Sequence, residues 1–230
     1  MMDLGTLNEA LTDEQLALRG TLPLKVAPVV LEGQIVRLEP LDIERDAEAL
    51  FAVSNGQPAE LGERRIGPYD ADELVWRYLG FGPFDDIAPF RDYLRQLVET
   101  PDSLCMCVFD VATGRQVGVT TFMSNVPAHL KIELGNIWYS PLVQRSGANT
   151  EATYLMLQHA FNLGYRRVEW KCNALNERSR RAARRMGFVF EGVQEAHMIV
   201  KNRNRDTAWF RILDYEWPEV KAHLESLLGR

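Results

Sequence analysis

The stretch "VQRSGANTEATYLML", residues 143–157, decides the reading, because a polar segment carrying one glycine runs without a break into an apolar helix. Ala152, Leu155, Met156, His159, Ala160 and Leu163 recur at i, i+3, i+4 and i+7, and Tyr154, Leu157 and Phe161 mark a second apolar stripe. A helix apolar on two sides is central and buried. The N–H groups of its first turn have no intrahelical partners, and Gly147 with Ala148 leaves them sterically open. Such a start binds an anion through backbone donors and the helix dipole, which contributes roughly 0.3–1 kcal/mol. Arg145 adds a cation. A strand-to-helix turn that uses glycine only for its backbone freedom fits the same residues. His159 reads as a core histidine.

Working outward, "KIELGNIWYSP" (131–141) is a strand that feeds this loop, and "YRRVEWKCN" (165–173) is a strand that follows the helix. The pair implies a parallel crossover through the helix. "SLCMCVFDVATG" (103–114) and "RQVGVTTFMS" (115–124) form a hairpin turning at 112–114. "QIVRLEPL" (34–41) alternates as a first strand ending near Pro40, and Asp42 caps the amphipathic helix "IERDAEALFAVS" (43–54). "FRDYLRQLVET" (90–100) is a helix stopped before Pro101. "ERSRRAARRMGF" (177–188) is a short helix, and "GVQEAHMIV", the polar turn "KNRNRD" and "TAWFRILDY" close the chain's sheet as a hairpin over 192–215. The sum is an α/β domain over 34–230: a mixed, mostly antiparallel sheet of about seven strands with one parallel pair, flanked by helices.

Two stretches stand outside this pattern. In residues 1–33, "TDEQLALRG" offers a capping box, Thr12 with Gln15, and a short helix stopped by Gly20. Its Leu11, Leu16 and Leu18 clamp the core or a second subunit, which would make a homodimer, or belong to a loosely held arm. Residues 56–90 are irregular and aromatic. Trp76, Tyr78, Phe81 and Phe84 read either as a ring-rich wall of an acceptor pocket or as core plugs on a long loop.

Composition excludes several classes. With 230 residues, 46% of them hydrophobic, the chain buries one sizeable core. A net charge of −6 opposes non-specific nucleic-acid binding. There is no apolar run of about 18 residues, and the acidic residues near the start do not suit a signal peptide, so a cytoplasmic protein without a membrane segment is expected. Cys105, Cys107 and Cys172 read as buried free thiols. His129, His159, His197 and His223 lack ligand spacing, so no metal is expected. No GxSxG elbow occurs, and the Gly147 loop lacks the lysine of a nucleoside-triphosphate loop.

The motifs together resemble the GNAT superfamily of acyl-CoA-dependent N-acyltransferases. "QRSGAN" (144–149) is similar to its Q/R-x-x-G-x-G/A pyrophosphate loop, with Asn149 where Gly or Ala is usual. "NERSRRAARRMGF" (176–188) resembles its helix with Asn, Ser and terminal GF, and "IELGNIWYSP" (132–141) its strand before the loop. The element order matches from 34 to about 217 and looks closest to the Rim-type (RimJ/RimL-like) branch.

The resemblance implies acetyl transfer from acetyl-CoA to a primary amine, on a protein N-terminus, a peptide or a small molecule, by direct attack. The cofactor contacts it implies are Trp138, Tyr139, Ser140, Gln144, Arg145, Ser146, Gly147, Ala148, Asn149, Thr150, Asn176 and Ser179. Glu133 matches the position of a base acting on the amine directly or through water, and a backbone N–H within 137–140 would meet the charge growing on the thioester oxygen. Ser179 shares an inward face with Ala182, Ala183 and Met186 and would attend the leaving thiolate, with Tyr139 as the other candidate acid. Structural roles are open for the same residues: a strand carboxylate for Glu133, a backbone-bonded hydroxyl for Ser179, and an N-cap for Asn176. Arg178, Arg180, Arg181, Arg184 and Arg185 form a solvated face or attract phosphates or an acidic acceptor. An acyl-CoA sensor without chemistry, or an unrelated phosphate-binding α/β module, remains the competing reading.

Overall fold

The computed structural model describes residues 10–230, so residues 1–9 of the N-terminal extension lie outside the described residues. Eight strands make one sheet in the order β1-β2-β5-β6-β7-β8-β10-β9. These are β1 (Leu31–Glu32), β2 (Val36–Pro40), β5 (Leu104–Asp110), β6 (Arg115–Val126), β7 (Lys131–Tyr139), β8 (Arg167–Asn173), β9 (Val189–Val200) and β10 (Arg203–Leu213). A separate ribbon pairs β3 (Ala59–Leu61) with β4 (Arg64–Ile66). Every pairing in the large sheet is antiparallel except β7 with β8. The helices are α1 (Asp13–Thr21), α2 (Ile43–Ala52), α3 (Ile87–Glu99), α4 (Ala148–Asn162), α5 (Glu177–Arg185) and α6 (Trp217–Leu227).

Side-chain alternation along the strands makes two cores. Ile132, Leu134, Val168, Trp170 and Cys172 point to the face covered by α4 and α6, where Met156, Leu157 and Ala160 are wholly buried. Cys105, Cys107, Phe109, Val119 and Trp138 point to the other face, covered by α2 and α3. The second pair of helices packs on β5 and β6, and on the β7-β8-β10 half of that face the side chains are polar, with Glu133, Glu169, Thr207 and Arg211 buried. α1 has the expected capping box, and its Leu18 fills the space over Gly164. Val26 is buried, and Asn125 Nδ2 donates to the carbonyls of Pro23 (3.1 Å) and Leu24 (2.8 Å). The described part of the segment before residue 34 therefore lies against the domain, with β1 as an edge strand of the sheet.

Several boundaries differ from the sequence reading. The described residues form ten strands rather than about seven, because β1 is only two residues long and β3–β4 lie inside the stretch read as irregular. The polar segment 201–206 is not all turn: β10 starts at Arg203, since an exposed two-stranded ribbon needs no apolar alternation. α3 begins at Ile87, capped by Asp86, rather than at Phe90. α6 was not anticipated; Pro218 in its first turn is compatible with a helix start.

Candidate active site

Gly147 is the N-cap of α4 with φ 89°, a left-handed value that only glycine adopts at little cost, and no side chain caps the helix. The first helical bond runs from Glu151 N–H to Gly147 O at 2.9 Å. The amides of Gly147, Ala148, Asn149 and Thr150 precede it and take no acceptor among the described residues. Glu151, in the first turn and 0% exposed, would repel an anion there but faces the other way. Its carboxylate accepts the N–H groups of Gln34 (3.0 Å), Ile35 (2.5 Å) and Val36 (2.7 Å) and pairs with Arg230.

Beside this start the sheet opens. The β7–β8 ladder holds only for Lys131↔Arg167, Ile132↔Val168 and Glu133↔Glu169, although β7 runs on to Tyr139 and β8 to Asn173. On its other edge β7 carries a bulge: Val119 pairs Trp138 and Thr121 pairs Gly135, so Asn136 (φ 49°) and Ile137 together face Thr120. Ser140 N–H donates to Val117 O at 2.8 Å. Strand amides alternate sides, so Trp138 N–H also faces β6, while the N–H groups of Ile137 and Tyr139 face the diverging β8. Parallel strands that separate from a common base, next to an uncapped helix start, leave main-chain donors in two places for one elongated, anionic ligand. These residues fit a coenzyme A diphosphate and pantetheine.

Residues 36–189 match the acetyltransferase (GNAT) domain family. The chain is 41% identical to a GCN5-related N-acetyltransferase from Brucella melitensis, with 87% of this chain and 85% of that chain covered and a TM-score of 0.78. The chain belongs to the GNAT acetyltransferases. A GNAT-family acetyltransferase from Chromobacterium violaceum is 37% identical over 84% of this chain and 90% of that one, with a TM-score of 0.73. RimL, a ribosomal alpha-N-protein acetyltransferase, shares the fold at 16% identity, with 81% of this chain and 94% of that one covered and a TM-score of 0.64. No curated protein matches the chain. The protein is thus an acetyl-CoA-dependent acyltransferase.

In this GNAT domain Glu133 lies at the last rung before the strands part and is 1% exposed. Burial pushes its carboxyl above the ordinary range, and Lys171 pulls it back. Lys171 Nζ is 2.9 Å from Oε2, off the line of a hydrogen bond, and lies 5.4 Å from the centre of the Trp209 ring. Glu169, on the same face, is held by Lys131 (3.1 Å) and Arg167 (2.7 Å). Ser179 Oγ accepts from Trp170 Nε1 at 3.0 Å and keeps its own proton to donate, with the Cys172 sulfur nearby. Asn176 caps α5 through Ser179 N–H at 3.1 Å. Tyr139 Oη is buried without a partner, and burial raises its pKa.

Three expected contacts are corrected by position. Trp76 is 0% exposed, packed against Phe84, Phe90, Tyr93 and Trp138, with Nε1 donating to Ser54 O at 2.8 Å; it is a core plug. Trp138 turns its ring into the same core, where Nε1 donates to Tyr93 Oη at 3.1 Å, and its amide serves β6. Ser140 is wholly buried, its amide spent on Val117 and its hydroxyl accepting from Leu142 N–H at 3.3 Å. Tyr78 lines a shallow cleft of about 330 Å³ with Glu73, Leu175, Asn176 and Arg178. Phe81 is exposed, and Phe84 is half-buried against Trp76.

Arg145 sits at the loop tip with φ 65°. Ser146 Oγ donates to Val143 O at 2.6 Å, and Gln144 Nε2 ties the loop to Leu74 O at 3.0 Å. Of the arginines of α5, Arg185 reaches the α4 start, donating to Thr150 Oγ1 at 3.0 Å. Sequence reasoning missed Lys171 and did not single out Arg185; the polar alternation of Arg167, Glu169, Lys171 and Asn173 along β8 was the available signal. Among the described residues no group of three or more His, Cys, Asp or Glu could hold a metal, and no helix is long and apolar enough to cross a membrane.

Proposed function

We propose that this enzyme moves the acetyl group of acetyl-CoA to a primary amine by direct attack, as a Rim-type member acting in the cytoplasm on a small-molecule or peptide acceptor. The parting of β7 from β8 directly above Glu133 carries the reading, because it joins a buried carboxylate, two free strand amides and an uncapped helix start.

Acetyl-CoA supplies an activated thioester. The amides at the α4 start, with Arg145 and Arg185 nearby, hold the diphosphate through charge-assisted bonds. Glu133 takes the proton of the incoming amine, directly or through water, and a carboxyl held above the ordinary range is better matched to that task near neutral pH. Ile137 or Tyr139 N–H meets the charge growing on the thioester oxygen. Ser179 O–H, already oriented by Trp170, donates toward the leaving thiolate, with Tyr139 Oη as the second donor in reach of the same core. Tyr78, Phe81 and Phe84 border the acceptor's approach, the domain spans 34–230, and residues 10–33 brace it.

Thiol release from acetyl-CoA in the presence of an amine panel tests this. Glu133→Gln is expected to lower kcat roughly a hundredfold or more, the scale of a lost general base, with acetyl-CoA affinity within about twofold. Absence of acetyl-CoA binding by calorimetry would end the reading.

A further inference from the structure

The cation at the mouth of the β7–β8 gap has no counter-charge. β10 pairs β8 from Leu213↔Arg167 to Thr207↔Asn173, so Arg205 stands past the last rung of β8, where the gap is open. The β9–β10 register shifts between Arg205 and Thr207, and Ala196 opposite is left-handed at φ 48°. Irregularities of this kind re-aim side chains. The backbone there is fixed: Ala174 N–H donates to Asp206 O at 2.8 Å, and Asp206 Oδ1 accepts Ala196 N–H at 2.8 Å.

Arg205 itself is uncommitted. Among the described residues its guanidinium makes no ion pair and no hydrogen bond, and its Nε is buried without an acceptor. The cations along the β8–β10 ladder are taken: Arg167 by Glu169 and Glu191, Arg211 by Glu216, and Lys171 by Glu133. Burial lowers the pKa of Arg205, partly offset by the Cys172 thiol and by Glu133. Neither serves as a partner: burial raises the thiol and keeps it neutral, and Lys171 already holds Glu133. A guanidinium stays protonated even so. A half-buried charge without a counter-ion is costly, and its planar fork matches a carboxylate bidentately.

We propose that Arg205 anchors the acceptor, and that the acceptor is a small amine of amino-acid type whose carboxylate pairs with Arg205 while its amine faces Glu133. The diphosphate does not need Arg205, because the α4 start, Arg145 and Arg185 already serve an anion. The proposal rests on the acetyl-transfer reading above.

The test uses matched acceptors, an α-amino acid and its carboxamide, with thiol release measured for wild type, Arg205→Gln and Arg205→Lys. Wild type is expected to favour the carboxylate member roughly tenfold or more in kcat/KM, the scale of one charge-assisted hydrogen bond. Arg205→Gln is expected to erase that preference by losing the carboxylate member alone, and Arg205→Lys to restore part of it. Acetyl-CoA affinity, measured by calorimetry, stays within about twofold in both variants, which also reports that they are folded. Equal rates on both members in wild type, or equal losses on both in either variant, overturn the anchor and leave acetyl transfer standing. Thiol release with no amine of either kind overturns the transferase reading and the anchor with it.

Discussion

Glu133 meets two opposed demands. Burial favours its neutral form, whereas Lys171 at 2.9 Å favours the carboxylate that a base needs. On the acetyl-transfer proposal an ammonium approaching Glu133 would also meet Lys171, and like charges release a proton more readily. Both effects point the same way when the lysine is removed. Lys171→Met is expected to move the acid limb of the kcat/KM profile to higher pH, because less of Glu133 is ionised at any given pH. The alkaline plateau, where Glu133 is ionised in either protein, changes much less. An unmoved acid limb would mean that Lys171 only fills space beside Trp209. At this scale the sequence was a partial guide. Glu133 lay on a motif, but Lys171 and Arg205 carry meaning only through the register of β8 against β7 and β10, which joins residues far apart in the chain.

The strand-loop-helix unit is the part that local chemistry specified well. Apolar spacing over 152–163 demanded a buried α4, and the start expected near Thr150 lies two residues earlier, at Ala148, with Gly147 as N-cap. The aromatic stretch was less legible because ring composition is the same for a pocket wall and a core plug; only burial separates Trp76 from Phe81. The bulge at Asn136 left no sequence signal, since a left-handed asparagine in a strand looks like any other polar residue there. For the unit itself, Gly147→Ala tests how far the loop conformation supports binding. A Cβ at φ 89° costs about 1–2 kcal/mol and would sit 3.1 Å from Ile35 Cδ1. The loop relieves that strain by turning its amides off the ligand, so acetyl-CoA affinity is expected to fall by roughly tenfold by calorimetry, with the acceptor KM little changed. Unaltered affinity would show that the amides do not hold the diphosphate.

Across the whole molecule, the N-terminal strap and the binding loop share one anchor. Glu151 leaves the first turn of α4 clear for an anion by bonding the amides of Gln34, Ile35 and Val36, and Ile35 in turn packs beside Gly147. Gly33 is required at the same point, since a Cβ there would lie 2.4 Å from Glu151 Oε2. Arg230 completes the pairing and stacks over Tyr154 at 5.7 Å. No spacing rule joins residues 34 and 151, and a glutamate in a first helical turn ordinarily reads as favourable to the dipole; that is why the sequence did not disclose the link. Glu151→Ala would take the acceptor from three N–H groups, that of Val36 buried and those of Gln34 and Ile35 part-buried. At about 1–3 kcal/mol for the buried group, with water reaching the other two, a loss of about 2 kcal/mol follows, or roughly 4–8 °C in Tm for a chain of this size. The same change should also blunt the response to ligand. Wild type at a hundredfold excess over Kd gains about 2.7 kcal/mol from acetyl-CoA, whereas the variant must first order the strap and loop and so shows a smaller rise in Tm at the same concentration. If thermal melts show the lower Tm but an undiminished ligand-induced rise, Glu151 braces the fold without shaping the coenzyme site, and the strap's connection to catalysis is lost.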